Sequence, residues 1–481
     1  MRADLDIDLL RTFAAIAEAG SFTRAAARVG RTQAAVSLQM QKLEALTGCA
    51  LFERSRGGAP FLTPKGGYLL ERACELVALN DDIVLSLKAP SPSARPETMR
   101  GPAAALLVRA FRNMSGDPAQ DYLARGVEAA TLGALTRMRS FRVLADDGGA
   151  DTRAARYALS GAVAREGGRV RLKVRLVDAE SGSHLWAETF EASADDMFAV
   201  HDRIAERVAG LLETELMQSE IARARRKHPA RADAYDLTLQ AFALVSAHTA
   251  AQAKSAMPLL ERALALDPEY AAAHALLAWA HELYFARAGF EETHRQAAIT
   301  HGRLAIEQEA GDPTALAIGG FVLAFLAPER DVALAAIARA AELNPASATV
   351  AFLGAQGNAI SGRFEAAGVY GARALTLSPS HPLAFEAHLG LHVRAEVEER
   401  FDDAAACTAR AMQSKPGFGS GYLLHAIALA CAGREDEAGS AIRRGLELEP
   451  AFRARMFQEF EMPPQLLGMT LDACRRLNLP V

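Results

Sequence analysis

The sequence predicts a multidomain, mainly α chain: a helix-turn-helix unit with a hairpin wing and a linker helix, a small α/β domain, then an α-solenoid of repeats. Three observations predict it. Near the amino terminus, apolar stripes at helical spacing are joined by a glycine-bounded turn and followed by a hairpin pattern. In the middle, Val170, Leu172, Val174 and Leu176 alternate with Arg169, Arg171, Lys173 and Arg175, as a half-buried strand requires. Beyond residue 233, alanine-rich helical segments end at prolines that recur at a period of about 34 residues.

Composition bounds the function. With 481 residues, 50% hydrophobic and 23% charged, the chain has the composition of folded globular domains. A net charge of −5 means that any nucleic-acid surface must be local. Cys49, Cys74, Cys407, Cys431 and Cys474 show no paired spacing, so neither a disulfide framework nor a zinc site is expected, in keeping with a reducing cytoplasm. The first eight residues carry acids where a secretory signal needs an apolar run. The apolar stretch Thr314 to Ala327 lies between Pro313 and Pro328 and falls short of the about 20 residues a spanning helix needs, so no membrane partner is expected. No glycine-rich phosphate loop, nucleophile elbow or His-Glu-x-x-His run is present, and His294 and His301 share a helix face without carboxylate or cysteine company. The expectation is no enzyme, no cofactor and no metal.

Leu9, Leu10, Phe13, Ile16 and Ala17 recur at helical spacing before Gly20. Ser21 or Thr23 can cap a second helix from Arg24 to Val29, and Thr32 a third to about Leu46, with Val36, Met40 and Leu43 as its buried stripe. Leu51 to Arg54, a Gly57-Gly58 turn and Phe61 to Thr63 read as a wing, and Pro64 starts a helix to about Lys88. From Ser21 to Gly66 the bases Arg24, Arg28, Arg31, Lys42, Arg54, Arg56 and Lys65 outnumber Glu44 and Glu53, giving a local charge of +5. Gln33, Ser37 and Gln41, with Ala34 beside them, lie opposite the buried stripe. For Gln41, plain solvent exposure is the alternative.

Ser21-Phe22-Thr23-Arg24-Ala25-Ala26, Val36-Ser37-Leu38-Gln39-Met40, Leu51-Phe52-Glu53-Arg54 and Leu62-Thr63-Pro64-Lys65-Gly66 resemble the DNA-binding domain of LysR-type transcriptional regulators, over residues 5–88. The resemblance implies double-stranded DNA as partner, with the third helix in the major groove. Gln33 would then pair with adenine and Ala34 meet a thymine methyl, with Ser37 and Gln41 on the same face. Arg31, Thr32, Lys42, Arg54 and Arg56 would serve the phosphates. The position of Leu38 is often arginine in that family, so one phosphate contact is absent here. The resemblance also implies a homodimer or higher homo-oligomer joined by the 64–89 helix, through Leu69, Leu76 and Ile83. Packing of that helix on its own downstream domain is the alternative. The two-lobed ligand domain usual after such a reader does not follow.

Residues 90–101 read as a flexible linker, rich in Pro and Ser. Strands are then expected over Leu106–Phe111, Phe141–Ala145, Tyr157–Arg165, Arg169–Val177 and His184–Phe190, with helices over Gln120–Arg139 and Met197–Glu220. Phe111-Arg112-Asn113-Met114-Ser115-Gly116-Asp117-Pro118 and Leu176-Val177-Asp178-Ala179-Glu180-Ser181-Gly182 resemble the TolB-amino-terminal-like α/β domain, over 102–220. Between Leu144 and Tyr157 a helix usual in that family is replaced by a short Asp/Gly/Ala-rich segment. The basic row Arg171, Lys173, Arg175 is read as a solvated sheet face before an anion surface. Asn113, Asp117 and Asp121 are read as turn and cap residues before a cation site, and Trp186 and Phe190 as core.

After a connector at 221–232, Pro268, Pro313, Pro345, Pro379, Pro416 and Pro450 are spaced by 45, 32, 34, 37 and 34 residues. With the recurring small and large apolar positions, this resembles about six tetratricopeptide-like repeats over 233–450, followed by carboxy-terminal capping helices at 451–481. Such an array implies an unidentified protein or peptide partner. The whole is expected to be a cytoplasmic DNA-binding transcriptional regulator with the repeats as input. The alternative is an interaction scaffold whose helix-turn-helix mainly dimerises.

Overall fold

In the computed structural model the described residues are 5–19, 21–28, 31–53, 61–70, 72–73, 76, 104–138, 141–146, 155–166, 169–193, 197–227, 232–308 and 311–480. They fall into two compact units, Met1–Pro96 and Glu97–Val481.

The first unit begins with α1 (Ile7–Ala19), α2 (Phe22–Arg28) and α3 (Gln33–Thr47). Helix α2 starts at Phe22, two residues earlier than expected, with Ser21 as its cap: Ser21 Oγ accepts from the Arg24 N–H and its carbonyl from the Ala25 N–H. The apolar stripes converge on one core in which Leu10, Phe13, Ile16, Ala25, Val36, Met40 and Leu43 are buried. Gly48 closes α3 in the left-handed conformation at φ +69°, its N–H donating to the Glu44 carbonyl. Strands β1 (Phe52–Glu53) and β2 (Phe61–Leu62) pair antiparallel, Phe52 opposite Leu62. The turn between them lies outside the described residues. Helix α4 covers residues 64–70, and residues 72, 73 and 76 are helical as well. A Cβ at Gly66 would stand 2.2 Å from the Leu51 carbonyl oxygen, so glycine there lets the start of α4 close onto the wing.

The second unit opens with a mixed sheet of β3 (Ala105–Val108), β4 (Arg112–Asn113), β5 (Arg142–Ala145), β6 (Tyr157–Glu166), β7 (Arg169–Asp178) and β8 (His184–Ser193). The order is β5-β3-β6-β7-β8, with β4 pairing β6 beyond the end of β3. The single strand expected over Leu106–Phe111 is two, since β3 ends at Val108 and a short β4 follows at Arg112–Asn113. β7 alternates as read: Val170, Leu172, Val174 and Leu176 are fully buried and the intervening basic side chains exposed. Phe190 is core and Trp186 half-buried. Asn113 donates to the Asp117 carbonyl and to Asp121 at 2.8 Å each, and Asp117 caps a single 3-10 turn, so all three serve the turn. Helices α5 (Asp121–Thr136) and α6 (Met197–Arg226) cover the buried face.

α6 runs past the expected end at Glu220. Ile221 and Ala224 are buried with Leu239, and the fully buried Glu220 carboxylate accepts from Arg156, Tyr157 and Arg223. That extension ties the sheet to the helical stretch.

The helical stretch continues as α7 (Ala234–Val245), α8 (Ala250–Leu266), α9 (Ala271–Ala288), α10 (Glu292–Glu307), α11 (Pro313–Leu326) and α12 (Arg330–Leu343). It goes on through α13 (Ala348–Ile360), α14 (Phe364–Leu377), α15 (Ala384–Val397), α16 (Phe401–Ser414), α17 (Gly419–Cys431) and α18 (Glu435–Leu448). Each helix packs on the next, and α7, α9, α11, α13 and α15 also pack in series on one another. These inner helices are buried on nearly every side; twelve of the fourteen residues of α11 are buried. That burial explains the apolar run at Thr314–Ala327. Among the described residues no helix is long and apolar enough to cross a membrane. Pro268, Pro345, Pro379, Pro416 and Pro450 each follow an outer helix by two residues, while Pro313 starts an inner one. The tail forms α19 (Met456–Glu459) and α20 (Pro464–Arg476), the latter packed on α15 and α17.

Candidate nucleic-acid interface

The burial of Val36, Met40 and Leu43 against α1 and α2 decides which way α3 faces. Its outer side carries Gln33, Ala34, Leu38, Gln41 and Lys42 exposed and Ser37 half-buried. Gln33 and Gln41 are eight residues apart, about 12 Å along the axis, so their amides and the Ser37 hydroxyl form a row two turns long. Thr32 lies at the amino end of this row. Its Oγ1 accepts from the Ala35 N–H at 3.2 Å, which caps the helix and orients its first free N–H groups outward.

Arg31 is held differently from the sequence reading. Its Nη2 donates to both carboxylate oxygens of Asp8, at 3.0 and 2.9 Å, and Gln39 donates to the same carboxylate at 2.7 Å. Thr12 Oγ1 in turn donates to Gln39 Oε1 at 2.9 Å. The guanidinium thus ties the turn before α3 to the start of α1. Sequence reasoning missed this network because Asp8 and Gln39 are 31 residues apart. Of the remaining expected phosphate contacts, Lys42 is exposed, whereas Arg54 and Arg56 lie outside the described residues.

Among the expected dimerisation residues, Leu69 is half-buried against this unit's own core, alongside Leu70 and the buried Ala73. Leu76 is 43% exposed, with Tyr68 exposed further up the helix, and Ile83 lies outside the described residues. Leu38, which stands where the LysR-type family often has arginine, lies on the outer side of α3 and is 68% exposed.

Residues 7–67 match the family model described as bacterial regulatory helix-turn-helix protein, lysR family. The amino-terminal unit is therefore a LysR-type helix-turn-helix domain. The chain is 48% identical over 84 residues to the HTH-type transcriptional regulator PecT of Dickeya dadantii, a match covering 18% of this chain and 26% of that protein. It is also 30% identical over 201 residues to the "Putative adenylate cyclase 3" of Rhizobium meliloti, covering 39% of this chain and 34% of that one. The chain thus spans a quarter to a third of the length of these curated relatives. Among solved structures, full-length CbnR with its target DNA is similar at 25% identity and a TM-score of 0.18, over 35% of this chain and 55% of that one.

Proposed function

We propose that the chain is a sequence-specific DNA-binding transcriptional regulator that acts as a dimer and takes its input through the helical stretch. The observation that carries this reading is the polar outer row of α3 in a LysR-type helix-turn-helix. In this reading Gln33 and Gln41 present amides able to pair bidentately with adenine, Ala34 packs on a thymine methyl, and Ser37 adds a hydroxyl between them. Thr32, Lys42, Arg54 and Arg56 meet phosphates, which position the domain without reading sequence. Arg31, engaged by Asp8, acts as a positioning residue for the turn. Leu76, and Ile83 beyond it, supply the apolar contact to a second copy.

The helical stretch resembles tetratricopeptide repeats, and its nested helix pairs support that assignment; the sheet that precedes it resembles the TolB-amino-terminal-like domain. The likeness to a putative adenylate cyclase covers 34% of that protein, and the LysR-type unit and its regulator relatives favour the regulator reading.

The test is a titration of full-length protein on DNA recovered by genome-wide mapping of its bound sites. Gln33→Ala is expected to lose about 1–3 kcal/mol on the specific site while keeping its affinity for unrelated DNA. Unchanged site preference in that variant would overturn the groove assignment. Absence of any salt-dependent, sequence-preferring binding by the parent would instead favour the scaffold reading.

A further inference from the structure

Within the second unit, the inner helices and the tail line a partly open cavity of about 130 Å³. The tail forms its cover: Phe460 packs edge-on against Phe325 of α11 with centroids 5.3 Å apart, and Arg330 Nη2 donates to the Phe460 and Glu461 carbonyls at 2.9 and 2.7 Å.

The walls are mostly aromatic and aliphatic, with Phe321, Phe325, Phe418 and Phe460 among them. Into this lining project three carboxyl groups, Glu282 of α9 and Glu386 and Glu396 of α15, exposed by only 4%, 4% and 3%. Glu386 has a neighbour, His248 Nε2, at 3.0 Å. The other two are short of partners. Glu282 Oε2 and Glu396 Oε1 have no hydrogen-bond partner, although both side chains are almost wholly enclosed. Glu396 has the His392 imidazole beside it, at 3.5 Å. The cation that lines the cavity, Arg287, is turned towards Glu449 at 3.5 Å and lies over the Phe418 ring.

Buried polar atoms without partners are rare in folded proteins, because each forfeits its hydration for nothing. Five such atoms belong to residues lining this aromatic-walled cavity, Glu282 Oε2 and Glu396 Oε1 together with His248 Nε2, Arg287 Nε and His392 Nδ1, and they mark a place where a ligand completes the hydrogen bonding. We propose that this cavity binds a small organic cation, a primary ammonium on an apolar body, with the N–H donors on Glu282 or Glu396 and the body among the phenyl rings. An ammonium supplies donors and the missing positive charge together, and the rings add cation–π attraction. A carboxylate ligand would meet three carboxyl groups against a single arginine, whose Nε lies 3.5 Å from Glu449. A neutral alcohol offers one O–H donor, whereas an ammonium offers three and favours the ionised carboxylate. In the empty cavity, burial pushes Glu282 up to about 7 and Glu396 up to about 8, the state expected of carboxyls waiting for a counter-charge. Size restricts the choice: a cavity of about 150 Å³ holds one benzene, so about six heavy atoms fit.

The binding itself does not depend on the DNA-binding reading; only its use as an input signal rests on that. The experiment is calorimetric titration of the full chain, without DNA, with pentylamine, 1-pentanol and pentanoate. Pentylamine is expected to bind at least tenfold more tightly than either isostere, and Glu282→Gln together with Glu396→Gln to erase that preference while the far-ultraviolet circular dichroism stays unchanged. No measurable pentylamine binding, or equal binding of pentanol or pentanoate by the parent, would overturn the proposal without any reference to the variants. So would an amine preference that survives both substitutions.

Discussion

Replacing Gly320 with alanine tests how closely the helices of the second unit approach. Gly320 lies in the middle of α11, where an added Cβ would stand 2.6 Å from the Ala333 carbonyl oxygen, 2.9 Å from Ile337 Cγ1 and 3.3 Å from Ala336 Cβ, all on α12. Ordinary contact begins near 3.4 Å, so α12 would have to retreat by several tenths of an ångström, or the two helices separate. Alanine gains about 1 kcal/mol over glycine from helix propensity alone. Overpacking a tight interface costs about 1–3 kcal/mol, and here the obstacle is a backbone oxygen that cannot rotate away. The net expectation is a loss of about 1 kcal/mol. Gly439 in α18 supplies the control: a Cβ there meets only Arg443 Nη1 at 3.8 Å, so Gly439→Ala should gain about 0.5–1 kcal/mol. The assay is urea unfolding of the full chain, followed by helical circular dichroism. The opposite signs of one chemical change are the result to look for. A midpoint raised equally by both substitutions would refute the close packing of α11 on α12.

Other perturbations follow from the same geometry. Leu76→Glu should shift full-length protein towards a slower-sedimenting species at micromolar concentration, since it places a charge on an exposed apolar position of the linker helix; an unchanged profile would remove Leu76 from any self-contact. Thr32→Ala should cost about 1 kcal/mol of stability in the amino-terminal unit, read from its thermal midpoint, because the Ala35 N–H loses its cap. The second unit should respond to pH in two directions. Burial lowers His281, His301 and His392 to about 4, so the unfolded chain takes up protons first and stability falls as pH drops from 6.5 towards 4. Burial raises Glu282 and Glu396 to about 7 and about 8, so their contribution is full below 4.5 and is lost as pH rises through 7 to 8. Glu282→Gln with Glu396→Gln should therefore flatten the loss of thermal stability between pH 5 and 8, and an unaltered slope would show that neither carboxyl is buried as described.

Much of this architecture is local and so was legible in the sequence. A cap such as Thr32 bonds a group three residues away, the stripe Val36, Met40, Leu43 repeats within one helix, and alternation along β7 needs only neighbours. The motifs that mark the LysR-type unit are short runs of the same kind. Prolines after α8, α12, α14, α16 and α18 marked helix ends because a missing N–H and a fixed φ act on the residues beside them. What periodicity could not convey is which distant segments meet. Arg31 reads as one base in a basic cluster, and only the folded unit brings Asp8 and Gln39 around it. Glu282 and Glu396 read as ordinary charges on alanine-rich helices. In α9 and α15 nearly every side is buried, so the pattern has no polar face to betray their direction. The tail reads as a cap on the end of the stack, yet Phe460 returns to Phe325, far back along the chain. The sequence by itself determined the helices, their ends and the reader's outward row, because those depend on interactions within a turn or two. Only the tertiary structure decided that three carboxyls and five phenyl rings line one cavity, because that depends on packing between segments whose spacing carries no period.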